Sequence, residues 1–308
     1  MKIRPGGRDV VSSGRGLSAV VAVVAVMGLP LHVGAQISET ILTVEALNES
    51  GHSSCCYSLD DGQWDPNSGT LTWSLPGQLD FFDDVSGEWV ASLLNADLTV
   101  QVTEAFQVDL NVGVYAGPSD TTFCIASPLI SFESIPAGPA QGRAAASFTV
   151  THLAGDYALL MGEGSPGTGA FRSYYNGYLS EGTRFTHLVG AVYVDSGGTA
   201  TASQVDPSNG FRNIGEDVYD ISTEIAFTLT ANDLAFVTSS SGTEAEECLG
   251  DVDGNGRVNA DDLSDLLGAY GTAAGEPGYD PAADLDGNGA VDLGDLSLLL
   301  GFYGVICW

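Results

Sequence analysis

The side chains best suited to chemistry lie near the C-terminal end, where acidic and amide residues recur in a fixed register. DVDGNGRVNADD at 251–262 is followed 33 residues later by DLDGNGAVDLGD at 284–295. Side-chain oxygens fall at positions 1, 3, 5, 9 and 12 of each stretch: Asp251, Asp253, Asn255, Asn259 and Asp262, then Asp284, Asp286, Asn288, Asp292 and Asp295. A hard cation such as Ca2+ takes six to eight oxygens, and this spacing draws them from one short loop. Position 7 lends a main-chain carbonyl, so Arg257 and Ala290 join the two ligand sets while their side chains stay free to vary. Glycine at position 6 allows the turn that brings early and late ligands together. Two calcium ions are therefore expected. Loop two offers four ligand carboxylates against three in loop one, and so is expected to bind more tightly.

A loop of this kind needs an element to carry its last ligand. Each is followed by one apolar stripe, Leu263, Leu266, Leu267 and Tyr270 in the first copy and Leu296, Leu299, Leu300 and Tyr303 in the second, at helical offsets 0, 3, 4 and 7. Gly271 and Gly304 stand where the helices would stop. At 100° per residue, Leu298 and Phe302 fall opposite that stripe, where the first copy has Asp265 and Ala269. They are the expected partner-binding residues.

The two loops follow the EF-hand pattern except for Asp in place of Glu at position 12, and each is followed rather than flanked by a helix. Residues 248–308, about a fifth of the chain, thereby resemble a type I dockerin. The resemblance implies a non-catalytic, calcium-dependent docking module of two antiparallel loop-helix units that binds a cohesin-like scaffold protein, often beside a polysaccharide-degrading enzyme. Loop positions 10 and 11, where cellulosomal members usually carry small hydroxyl residues, are Ala260-Asp261 and Leu293-Gly294, and neither helix contains Lys or Arg. Antiparallel units bring a module's ends together, so Cys248 and Cys307, which bracket the pair, are expected to form a disulfide.

Upstream the period changes from 3.6 to two. Asp97–Thr103 and Phe106–Val114 alternate apolar with polar residues around a Glu104-Ala105 turn and read as a hairpin. The same alternation recurs in Thr40–Leu47, Gly69–Leu75, Ser147–Leu153, Thr186–Val194 and Ile221–Leu229, with turn residues between. Residues 36–238 are expected to form an all-β, antiparallel, jelly-roll-like sandwich. Ser239 to Glu247 reads as an acidic Ser/Gly linker to the small α-helical module at 248–308.

Catalytic signals are absent from the sandwich sequence: there is no G-x-S-x-G, H-E-x-x-H or Walker lysine. G-x-G-x-x-G at 162–167 contains Pro166 and reads as a surface turn. His52, His152 and His187 are isolated. Asp60-Asp61, Asp80, Asp83-Asp84 and Glu216-Asp217 read as solvated loops, and Phe171 to Tyr178 as packing aromatics with a sugar-stacking platform as the alternative. One of Cys55 and Cys56 is expected to bridge to Cys124.

At the other end, Lys2, Arg4, Arg8 and Arg15 precede an apolar run from Leu17 to Leu31 that closes at VGA. Residues 1–35 read as a secretory signal peptide, too short an apolar stretch to span a bilayer. Its removal with Asp9 takes the formal charge from -31 to -34 and leaves no lysine. Such a chain excludes nucleic acid as a partner and favours cations. The expected protein is secreted or at the cell surface, with a β-domain docked by its calcium module. The alternatives are a glycoside hydrolase in polysaccharide catabolism and a carbohydrate-binding or structural surface protein.

Overall fold

The computed structural model describes residues 21–23, 35–103, 105–135, 137, 140–163, 168–245 and 249–305. Most of the expected signal peptide and both Cys248 and Cys307 lie outside them. In chain order the strands are β1 (Val21–Val23), β2 (Gln36–Ser38), β3 (Thr40–Asn48), β4 (Gly51–Ser58), β5 (Gln63–Asp65), β6 (Thr70–Ser74), β7 (Leu79–Phe82), β8 (Trp89–Val102), β9 (Ala105–Ala116) and β10 (Thr121–Ala126). There follow β11 (Ile130–Ile135), β12 (Ala140–Thr151), β13 (Tyr157–Gly162), β14 (Phe171–Tyr175), β15 (Thr183–Leu188), β16 (Ala191–Asp195), β17 (Thr199–Asp206), β18 (Arg212–Asn213), β19 (Val218–Leu229) and β20 (Leu234–Ala245).

They form the two sheets of an antiparallel sandwich. The first runs β1-β2-β11-β19-β10-β3-β4, with β13 and β14 also paired to β19 and carrying β16 and β15. The second runs β17-β12-β20-β9-β8-β6-β5, with β18 on β12 and β7 on β8. The reason is visible in β9, where Phe106, Val108, Leu110, Val112 and Val114 are buried while Asp109 and Asn111 alternate toward water. Aromatic rings tie the sheets together. Phe106 stacks on Phe132 with centroids 3.8 Å apart, and Phe148 meets Phe227 edge-on at 5.9 Å.

Two expectations about this region need correction. Ser239 to Ala245 is not linker but the second half of β20, paired along its length with β9 and β12. The alternation continues there in hydroxyl residues: Ser239, Ser241 and Thr243 are buried, and the Ser241 and Ser173 hydroxyls meet at 2.5 Å. Hydropathy stops, but the period of two does not. Thr186–Val194 is also two strands rather than one, broken at Val189, whose φ of 57° turns the chain between β15 and β16.

Beyond the sandwich stand α1 (Ala260–Ala269) and α2 (Leu293–Phe302). Their core is small: Val258, Leu266, Ala269, Ala283, Val291 and Leu299, with Leu263 and Leu296 packed against it. The duplicated units clamp each other. Gly304 N–H donates to Val258 O at 2.7 Å and Val258 N–H to Val305 O at 2.9 Å. The matching bonds are Gly271 N–H to Val291 O at 2.8 Å and Val291 N–H to Thr272 O at 2.9 Å. The segment leaving each helix is thus held by the loop of the other unit.

The expected four-residue stripe is only half right. Leu267, Tyr270, Leu300 and Tyr303 are exposed. Each helix is ten residues long, and Tyr270 and Tyr303 are C-cap residues with ψ near 129° and 126°, already off the helical path. A projection at 100° per residue therefore fails at that point. No helix among the described residues is long and apolar enough to cross a membrane.

Candidate functional site

The N-terminal turn of each helix is built by the loop before it. Asn259 caps α1 by accepting from Asp261 N–H at 2.8 Å, and Asp292 caps α2 by accepting from Gly294 N–H at 2.6 Å. Asp262 and Asp295 complete reciprocal capping boxes, accepting from Asn259 N–H and Asp292 N–H, each at 2.7 Å. Their second oxygens accept from Asp253 N–H and Asp286 N–H, each at 3.1 Å. One short acidic side chain at position 12 therefore holds the main chain of positions 3 and 9 together. The shorter arm that set it apart from Glu is spent on this bracing.

Around that brace the carboxylates converge. Asp251, Asp253 and Asp262 each offer an oxygen within 4.8 Å of the others, and Asp284, Asp286 and Asp295 do the same. These are positions 1, 3 and 12 of the two loops. Asp251 also accepts from Asn255 N–H at 3.0 Å and Gly256 N–H at 2.8 Å, and Asp284 from Asn288 N–H at 3.1 Å and Gly289 N–H at 2.9 Å. Gly256 and Gly289 make this possible with φ of 80° and 88°, a backbone region that glycine enters without steric cost.

The chemistry of the donor set fits a divalent cation. Asp262 and Asp295 are wholly buried, yet neither described ion pair involves the module, and exposed Arg257 neutralises no carboxylate. Three converging carboxylates without a positive partner repel one another unless a cation lies between them. Asn255, Asn288 and the carbonyls of Arg257 and Ala290 remain the candidates to complete each set. Asn259 and Asp292 serve as helix caps.

The two sites differ electrostatically. Burial raises the Asp251 carboxyl above its usual range, assisted by the charges of Asp262 and Asp253. Asp284 moves the other way because the Tyr279 hydroxyl donates to its Oδ2 at 2.7 Å, with Gly289 and Asn288 N–H groups adding to the effect. Tyr279 was not legible as part of a site, since it lies outside the twelve-residue pattern.

In the sandwich, most sequence candidates have structural employment. Phe171, Tyr174 and Tyr175 are buried and pack in the sandwich, while Tyr178, at the end of that run, is half-buried. His152 Nδ1 accepts from Gly197 N–H at 2.7 Å, and His187 Nδ1 from Gly169 N–H at 3.1 Å. Asp83 accepts from three main-chain N–H groups, those of Ser86, His52 and Val85, which lower its pKa to about 2.

The expected bridge between Cys124 and Cys55 or Cys56 is excluded by register. β3 lies between β10 and β4, and Cys124 sits opposite Glu45, which in turn sits opposite Ser54. Two strand spacings of about 4.8 Å exceed the ~7 Å Cα limit for a disulfide. All three are free thiols. Burial raises the Cys55 thiol to about 11, and burial with the neighbouring Glu224 raises Cys124 to about 12, so both are poor nucleophiles.

No family model matches the chain, and no curated protein matches it. Among solved structures it is similar to the carbohydrate-binding module TmCBM61 in complex with beta-1,4-galactotriose, at 11% identity over 45% of this chain and 81% of that one, with a TM-score of 0.21. A second similarity is to infectious bursal disease virus, Gx strain, at 13% identity over 69% of this chain and 63% of that one, with a TM-score of 0.19. Likeness at this level says nothing of what this chain binds.

Proposed function

We propose that residues 248–308 form a docking module that binds two calcium ions and attaches the sandwich to an extracellular or cell-surface scaffold, and that the sandwich binds polysaccharide. The observation that carries the proposal is the pair of three-carboxylate clusters built twice in the same register. Calcium supplies the positive charge that lets each cluster close. The residues themselves do the rest: Asp262 and Asp295 brace loop to helix, and the Val258 and Val291 clamps hold one unit to the other.

Scaffold docking is supported by the apolar side chains that α2 leaves at the surface, Leu300 and Phe302 exposed and Leu298 half-buried, where α1 has Asp265 and Ala269 at the positions of Leu298 and Phe302. The dockerin resemblance makes a cohesin-like protein the partner. The polysaccharide half is supported by a sandwich whose outer surfaces set exposed rings beside amides and hydroxyls, the mixture that suits a sugar's C–H faces and hydroxyl rim. The test is capture of a purified cohesin-type scaffold domain by the full chain, with calcium and with chelator. Calcium-dependent capture lost in the Leu298→Asp, Phe302→Asp double variant supports docking through α2. Capture unaffected by chelator contradicts it.

A further inference from the structure

Strand register assigns the outward residues of the second sheet. Asn95, Gly113 and Phe236 stand side by side on β8, β9 and β20, with Thr149 next on β12. The adjoining row places Asp97, Asn111 and Thr238 beside one another. On the other side Tyr115 is paired between Ser92 and Leu234, and its ring stacks on Trp89 with centroids 5.7 Å apart. Tyr115 and Phe236 are diagonal neighbours, so Trp89, Tyr115 and Phe236 make one aromatic strip.

Three features converge on this strip. Gly113 lies in the middle of a long strand, where glycine weakens a sheet and often marks a close approach. A Cβ there would come within 2.7 Å of Phe236 Cε1 and 2.2 Å of Asn95 Oδ1, so its absence is what lets ring and amide lie over the backbone. A register shift between Leu93 and Asn95 marks a bulge at the same spot, a device that re-aims a side chain. Phe236 nonetheless stays 41% exposed. Covering a glycine accounts for where the ring sits, but the amides beside it are not spent on the fold. Among the described residues, the side chains of Asn95, Asn111 and Thr238 hydrogen-bond to no other protein group.

We infer that this strip, Trp89, Tyr115 and Phe236 flanked by Asn95, Asn111 and Thr238, is where the sandwich binds an uncharged polysaccharide chain, an inference that rests on the polysaccharide reading above. A sugar ring presents weakly positive C–H groups on its faces and hydroxyls on its rim. The negative face of an aromatic ring attracts the first, and amides and hydroxyls pair with the second. Charge selects among glycans. The charged groups beside the strip include Asp80, Asp97 and Asp109, all acidic, and the whole chain carries -31, so a polyanion is repelled. The rival surface is Tyr157 and Tyr193 on the first sheet, exposed and stacked on each other at 5.7 Å. There Tyr193 spends its hydroxyl on Asp195, and the outward neighbours Leu159 and Met161 offer no hydrogen bonds.

The test is native affinity electrophoresis of the full chain, with calcium, in gels containing hydroxyethylcellulose, xyloglucan, galactomannan or polygalacturonate. At least one of the three neutral polymers should retard the wild type, and polygalacturonate should not. Phe236→Leu keeps an apolar cover over Gly113 but removes the ring, and should weaken binding tenfold or more, whereas Phe236→Trp should retain it. Asn111→Ala, at an exposed position without protein partners, should weaken binding severalfold with an unchanged melting temperature. If the wild type is retarded but Phe236→Leu and Asn111→Ala bind as tightly, or Tyr193→Ala alone abolishes binding, the strip is not the site and the polysaccharide reading survives. Retardation by polygalacturonate alone overturns the choice of an uncharged chain. If no polymer retards the wild type, the polysaccharide reading itself falls.

Discussion

The sandwich and the C-terminal module solve the same stability problem by different means. The sandwich buries whole faces of two sheets, with Phe106, Phe123, Phe148, Phe171 and Phe227 fully enclosed. The module buries six apolar residues and, among them, two aspartates with no cationic partner. Apolar burial at roughly 25 cal/mol per Å2 suffices for the first. In the second, main-chain N–H groups satisfy the two buried carboxylates, but the three converging carboxylates of each loop still repel one another and oppose folding unless a cation lies between them. A chain can therefore carry one region whose fold is written in hydropathy and another that gathers carboxylates able to hold a metal ion.

The largest effect that separates them is metal removal. Chelation should unfold α1 and α2 while leaving the β-sheet amides of the sandwich protected, a difference read by hydrogen exchange. Slowed exchange persisting in α1 without metal would erase the contrast. Next, Phe227→Ala should cost the sandwich about 3–5 kcal/mol in denaturant unfolding, as large-to-small changes in aromatic cores do, while calcium affinity stays as it was. Asp262→Asn should weaken loop one by more than the roughly 10–100-fold that loss of a supporting outer-shell group costs. Through the clamp between Val258 and the segment after α2, it should also weaken loop two by a smaller factor. Two independent calorimetric sites in that variant would show the clamps to be passive.

The smallest effect belongs to acid. Asp83 has a folded pKa depressed to about 2, so its contribution to sandwich stability is complete above the ordinary 3.8 and is lost as pH falls from there toward 2. Asp83→Asn should flatten that limb of the acid-unfolding curve and leave stability near neutral pH slightly reduced.

The convergence of Asp251, Asp253 and Asp262, and of Asp284, Asp286 and Asp295, was legible because the spacing expected of a cation-binding loop places positions 1, 3 and 12 together without knowledge of the fold. The strands of the core were legible wherever Leu, Val and Phe alternate. Ser239 to Ala245 was not, because its inward positions are hydroxyls that a hydropathy reading treats as linker. Leu267 and Leu300 were misplaced because helices of ten residues pack along a seam narrower than the stripe. The Cys124 pairing and the strip around Phe236 depend on which strands become neighbours. Gly113 and Phe236 meet only through the β9 and β20 pairing, and nothing local to either residue announces it.

The central claim is that the module is built around two bound calcium ions, and calorimetric titration of the chelator-stripped full chain with calcium chloride tests it most directly. The proposal predicts two ions per chain, with none bound by the Asp262→Asn, Asp295→Asn double variant under the same conditions. A wild type that takes up no calcium, or a double variant that still takes up two ions, would contradict it.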